Sequence, residues 1–168
     1  MTDWTRFVDR FGPAIWRRAY RLLGNEADAA DCYQTVLLEA FQTLELADRP
    51  DHDWSPLLAR MTSCRAIDRL RVRGRQRTAA LPETGVGNAA AGRDTDAVDD
   101  RDLADHLRVA IARLPDDQAE AFTLRYVDGL ENAEVAAATG RTPNHVAVLL
   151  HRARSTLRAR LEPRSDRE

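Results

Sequence analysis

The chain contains no lysine; all 25 of its Lys-plus-Arg side chains, in 168 residues, are arginine. A GC-rich coding sequence alone produces such a bias. Its physical consequence holds either way, because arginine makes forked contacts to phosphate and guanine that lysine cannot. Cysteine is scarce: Cys32 and Cys64 lie far apart with no CxxC spacing, which excludes a zinc ribbon and a disulfide framework. Aromatic residues make up only 6%, against 43% hydrophobic, which suits small helical cores built from Ala and Leu. No early apolar run resembles a signal peptide and none is long enough to span a bilayer. A reduced, cytoplasmic protein with no membrane segment of its own is expected. GxGxxG, P-loop and nucleophile-elbow motifs are all missing. His52, His106, His145 and His151 fall in no metal-ligand pattern. Neither an enzyme nor a cofactor is therefore expected. The net charge of -2 excludes bulk attraction to polyanions, so any nucleic-acid binding must come from local clustering.

What is present is helical periodicity in two blocks. Trp4, Phe7, Val8, Phe11, Ile15, Ala19, Leu22 and Leu23 recur at helical spacing, and Pro13 should start or kink a helix there. Asn25 is placed to cap a second helix with Tyr33, Val36, Leu37, Ala40, Phe41 and Leu44 on its apolar face. Ser55-Pro56 predicts the N-cap and first turn of a third, striped by Leu57, Leu58, Met61, Cys64, Ile67 and Leu70. From 74 to 100 the period is lost in a Gly-, Ala-, Thr- and Asp-rich stretch, read as an interdomain linker. Helical spacing returns with Leu103, Leu107, Ala110, Ile111 and Leu114, and Pro115 opens a helix that Gly129 stops. A short helix over about 132–139, a turn at Gly140, and a long helix from Thr142-Pro143 form a helix-turn-helix pattern. The expected fold is all-α: a bundle over 3–73, a flexible linker over 74–100 and a helix-turn-helix domain over 101–162.

Three constellations carry chemistry. The first is an arginine ladder: Arg60, Arg65, Arg69, Arg71, Arg73, Arg75 and Arg77, with Asp68 the only acid among them. Several arginines on one flank would bind phosphates and release counterions; a solvated basic face has the same composition. In the second, Asp31, Gln34, Thr35 and Leu38 share one helical face, where an apolar residue beside polar groups suits a protein partner. An ordinary helix surface is the alternative. The third is the helix-turn-helix. Val146, Leu150 and Ala153 are expected in its core, which leaves Asn144, His145, Ala147, Val148, His151 and Arg152 to face a DNA groove. The run Ala147, Val148, Leu149 is poor in charge, so phosphate contacts should shift to His151, Arg152, Arg154 and Arg141.

The order of these pieces resembles a bacterial RNA polymerase sigma factor of the sigma-70 family, extracytoplasmic-function type. "DAADCYQTVLLEAF" is similar to the region 2 helix that docks on core polymerase, with Asp31, Gln34, Leu38, Ala40 and Phe41 matching. "LLARMTSCRAIDRLRVRGR" is similar to the helix that reads and opens the minus-10 element, with Ile67, Asp68, Leu70 and Arg71 in place. "LPDDQAEAFTLRYVDGLENAEVAAATGRTPNHVAVLLHRARSTL" is similar to region 4, which places its last helix in the minus-35 groove. The resemblance implies a core polymerase contact at Asp31, Gln34, Thr35 and Leu38. It implies minus-10 contacts at Trp54, Arg60, Cys64, Arg65, Asp68, Arg69, Arg71 and Arg73, with Trp54 as a stacking platform. It implies minus-35 contacts at Arg141, Asn144, His145, Val148, His151, Arg152 and Arg154. Core RNA polymerase, promoter DNA and an anti-sigma factor are the implied partners. The family commonly carries Asn where this chain has Cys64, and basic or polar residues where it has Ala147 and Leu149. Two readings from other classes stay open: an operator-binding regulator that acts without polymerase, and a sigma-like interaction protein that does not use DNA.

Overall fold

The computed structural model describes residues 4–43, 53–79 and 95–161. Three helices form the N-terminal bundle: α1 (Trp4–Leu23), α2 (Glu26–Thr43) and α3 (Ser55–Ala79). Four more follow: α4 (Thr95–Ala112), α5 (Asp116–Phe122), α6 (Asn132–Thr139) and α7 (Pro143–Leu161). α3 and α4 extend into the stretch read as linker from both sides; the rest of it, 80–94, lies outside the described residues.

The bundle closes around Ile15, Leu23, Val36 and Leu58, all almost fully buried. Helix α1 runs through Pro13 rather than starting there. Pro13 is exposed, so its missing donor falls on the solvent side while Phe11 and Ile15 hold the helix from the core. Gly24 adopts a φ of 73° and ends α1, and its N–H donates to the Tyr20 carbonyl at 2.8 Å. Asn25 caps α2 as its sequence position suggests: the Asp28 N–H donates to Asn25 Oδ1 at 2.9 Å. At α3 the cap moves. The Ser55 N–H donates to Asp53 Oδ1 at 3.0 Å, and Ser55 itself lies inside the helix.

The C-terminal unit departs from a plain helix after Phe122. Residues Thr123–Val127 form a π-helical turn where one continuous helix was expected. Buried Thr123 supplies a cause, because its hydroxyl donates to the carbonyls of Ala119 and Glu120 at 2.9 and 3.0 Å. The widened turn ends with the Asp128 N–H on the Thr123 carbonyl at 3.1 Å. The helix-turn-helix itself follows the sequence. Thr142 Oγ1 accepts from the His145 N–H at 3.3 Å, and Pro143 occupies the first position of α7. Gly140 joins α6 to α7 at a φ of 67°. Replacing Gly140 by Ala should lower stability by about 1 kcal/mol, because a Cβ is disfavoured at that φ. A shift in chemical-denaturation midpoint with an unchanged slope would check this.

The two units pack on one another, through α3. On one face Leu58, Ala66 and Leu70 belong to the bundle core. On the other, Ala59 joins Ala121, Leu124, Val135, Val146 and Leu150 of the helix-turn-helix core. Farther along, Ile67 joins Ala110, Ile111, Leu114, Ala153 and Leu157. α3 is therefore a shared wall, which explains why Thr62 and Ser63 between these faces are fully buried.

Candidate functional site

Helix α2 presents the first face. Asp31, Gln34, Thr35 and Leu38 are all exposed, with Leu38 62% accessible. Phe41, which the periodicity assigns to the core, is 63% accessible and packs edge-on to Trp4 at 5.2 Å. Leu38 and Phe41, three residues apart, make an exposed apolar patch on one helix. Acids and arginines flank it: Asp31 pairs with Arg69, Arg69 reaches Asp28 at 3.0 Å, and Glu39 pairs with Arg65 at 2.7 Å. The Thr35 hydroxyl is turned inward onto the Asp31 carbonyl at 2.8 Å. Burial alone would raise the Asp28 carboxyl; hydrogen bonds from Asn25 and Arg69, with the charges of Arg69 and Arg73, bring it below its ordinary value.

The arginine ladder on α3 divides between two flanks. Arg65 and Arg69, one turn apart, face α2 as just described. Arg60 and Arg71 face the C-terminal unit together with Cys64 and Ile67, all on the same helical stripe. Arg60 Nε contacts Glu120 Oε1 at 2.7 Å. Arg71 contacts Asp116 at 2.6 Å and donates to the carbonyls of Ala112 and Leu114 at 3.0 Å each. Asp68 is exposed and lies 3.4 Å from Arg65 and 3.8 Å from Arg71. Arg73 turns toward the end of α1, donating to the Leu23 carbonyl at 3.3 Å and approaching Asp28 at 3.6 Å. Trp54 is half-buried against the bundle core.

Cys64 lies at the interdomain seam, its sulfur 3.5 Å from Glu120 Oε1. Burial, and then the neighbouring carboxylate, push its thiol up to about 11, so it stays a protonated, weakly reactive group. For Glu120, burial raises the carboxyl, but hydrogen bonds from Arg60 and Arg141 outweigh it and hold the group below its usual range. Asp128 behaves oppositely. Burial raises its carboxyl, and the charge and hydrogen bond of Arg18 with the Ser63 hydroxyl only partly offset that.

Helix α7 presents the third face. Val146, Leu150 and Ala153 are buried, as the helix-turn-helix spacing requires. Leu149 is also buried, at 5% accessibility, so it belongs to the core and not to the reading face. Asn144, His145, Ala147, Val148, His151, Arg152 and Arg154 are exposed. Arg141 stands apart from them. It is clamped by Glu120 and Asp117 at 2.7 Å each, which fixes the turn ahead of α7. The acids of this seam, Asp116, Glu120 and Asp128, were not visible as functional positions in the sequence. Their spacing carries no motif, and only the fold brings them to α3.

Comparison with known proteins matches both units. Residues 7–76 match the family model "Sigma-70 region 2" and residues 105–157 match "Sigma-70, region 4". The chain belongs to the sigma-70 family. Over 94% of its length it is 30% identical to the ECF RNA polymerase sigma factor SigE of Mycolicibacterium smegmatis, of which it spans 61%. Over 92% it is 25% identical to the ECF RNA polymerase sigma factor SigW of Bacillus subtilis, of which it spans 86%. The fold is similar to the sigma factor RpoE, solved in complex with the anti-sigma factor NepR from Bartonella quintana. That match has a TM-score of 0.55 and 20% identity, and covers 99% of this chain and 100% of that one. Among the described residues no helix is long and apolar enough to cross a membrane.

Proposed function

We propose that the chain is a promoter-specificity subunit of RNA polymerase that acts in the cytoplasm by binding, without a reaction of its own. Region 2 docks on core polymerase through the Leu38–Phe41 patch and the acids beside it. Arg60 and Arg71 of α3 hold the phosphates of the opened minus-10 strand. Region 4 lays α7 in the minus-35 major groove. There Val148 meets a thymine methyl, Asn144 contacts adenine or phosphate, and Arg152 and Arg154 hold the backbone. The observation that carries this reading is the presence of both sigma-70 regions, in order, in one chain. An anti-sigma factor is the partner that would block these faces, in keeping with the complex in which the similar RpoE structure was solved.

Leu38→Arg tests the docking face. The residue is exposed, so stability should change by less than about 0.5 kcal/mol. Placing a charge in an apolar anchor should weaken core polymerase binding at least about tenfold. Biolayer interferometry on immobilised core polymerase reads the effect, and unchanged affinity would remove Leu38 from the interface.

A further inference from the structure

Between the C-terminal half of α3 and helix α4 lies a cleft of about 540 Å³, a volume in the range that holds small ligands. Its walls are aliphatic: Leu70 and Ala112, with the exposed Val109. Gly74, inside α3, lies among them. Glycine in a helix interior is less favourable than alanine. Packing does not require it here, because a Cβ at Gly74 would meet no atom within 4 Å. The missing side chain instead leaves the α3 backbone open to the cleft. Every charged side chain lining the cleft is an arginine. Arg71 is held by Asp116 and by the carbonyls of Ala112 and Leu114. The guanidiniums of Arg75 and Arg113 are exposed and make no hydrogen bond or ion pair with the described residues. A second cavity, of about 350 Å³, adjoins the first at Gly74, Val109 and Arg113, and Asp102 and Asp105 line it.

We infer that the larger cleft binds a medium-chain aliphatic carboxylate, with its chain laid over Leu70, Gly74, Val109 and Ala112 and its head forked by Arg75 and Arg113. The lining selects this chemistry. It holds no aromatic ring on which a base could stack and no acid or amide to read a base edge, which sets nucleotides aside. It holds no carboxylate to attract a cation. The planar fork of arginine matches a carboxylate with two parallel hydrogen bonds. An inorganic anion would satisfy the guanidiniums but leave the aliphatic walls in water, whereas an alkyl chain covers them. The adjoining cavity is the poorer host for the head, because Asp102 and Asp105 would repel it. None of the lining residues belongs to the Leu38–Phe41 patch or to the exposed side of α7, so a bound acid leaves both faces accessible. The site stands whether or not the chain reads promoters.

Isothermal titration of the full-length chain with decanoate tests it. Saturable binding at a single site is expected, with a Kd on the order of 0.1 mM. The matching alcohol, decanol, should bind at least about tenfold more weakly, because it leaves both guanidiniums without an anion. Gly74→Leu fills the cleft and should weaken decanoate binding at least about tenfold. A Cβ has room at this position and leucine favours a helix, so the thermal midpoint of the ligand-free variant should not fall. Arg113→Glu, on the exposed rim, should weaken decanoate by about the same factor and does not depend on packing inside the cleft. In heteronuclear NMR spectra the amides of Gly74, Val109 and Ala112 should shift on addition of decanoate, while those of His151 and Arg152 on α7 should not. The absence of saturable binding, or binding that survives both substitutions, overturns the site. Equal affinity for decanol and decanoate overturns the role given to the arginines.

Discussion

Arg60→Ala combined with Arg71→Ala is expected to slow open-complex formation by roughly 10²-fold, about one tenfold reduction per charge-assisted hydrogen bond removed. Core polymerase affinity should be unchanged, because both side chains point away from α2. The substitutions also loosen the hold of region 4 on α3, which on its own would favour DNA binding. A net loss in preformed holoenzyme therefore measures the phosphate contacts against that opposing effect. The slope of affinity against salt should flatten by about 0.7 for each single-strand phosphate no longer neutralised. Arg65→Ala with Arg69→Ala provides the contrast. These side chains hold Glu39 and Asp31 on the docking face, so this pair should weaken core binding. Permanganate footprinting of the melted region separates the two outcomes, and equal effects from both pairs would contradict the division of the ladder.

Val146→Asp is expected to unfold region 4. Val146 is 0% accessible and packs among Leu124, Val135 and Leu150. An unpaired carboxylate there costs several kcal/mol, a large part of the total stability of a small domain. Transcription that depends on the minus-35 element should disappear, while docking through α2 persists. Val148→Asp, two residues on and 48% accessible, should leave the thermal midpoint nearly unchanged. Its effect should appear in minus-35 duplex affinity, because a carboxylate replaces the side chain proposed to meet a thymine methyl. Thermal denaturation followed by circular dichroism, with duplex binding on the same samples, distinguishes these results.

Features set by local chemistry were legible in the sequence. Asn25 as a cap, Gly140 in its turn, Thr142-Pro143 at the start of α7, and the buried Val146, Leu150 and Ala153 follow from capping, positive φ and helical period. Leu149 was misplaced because it lies at the edge of the apolar stripe, where spacing alone does not decide between core and groove. Phe41 was misplaced for the opposite reason: its position is core-like by period, yet α3 does not cover it. Sequence shows only the charge and spacing of the ladder; which arginines face α2 and which face region 4 depends on the packing of α3. The π turn arises from a buried threonine hydroxyl that competes for backbone carbonyls. Asp128 acquires its role only through that turn, and Glu120 only through the closure of two units that sequence patterning treats as separate.

Run-off transcription with purified core polymerase, this chain and a library of genomic fragments tests the promoter-specificity reading most directly. Discrete transcripts should start downstream of paired minus-35 and minus-10 sequences, and should be absent when either the chain or core polymerase is omitted. Tight binding to a duplex operator by the chain alone, with no transcripts when polymerase is added, would contradict it and identify an operator-binding regulator instead.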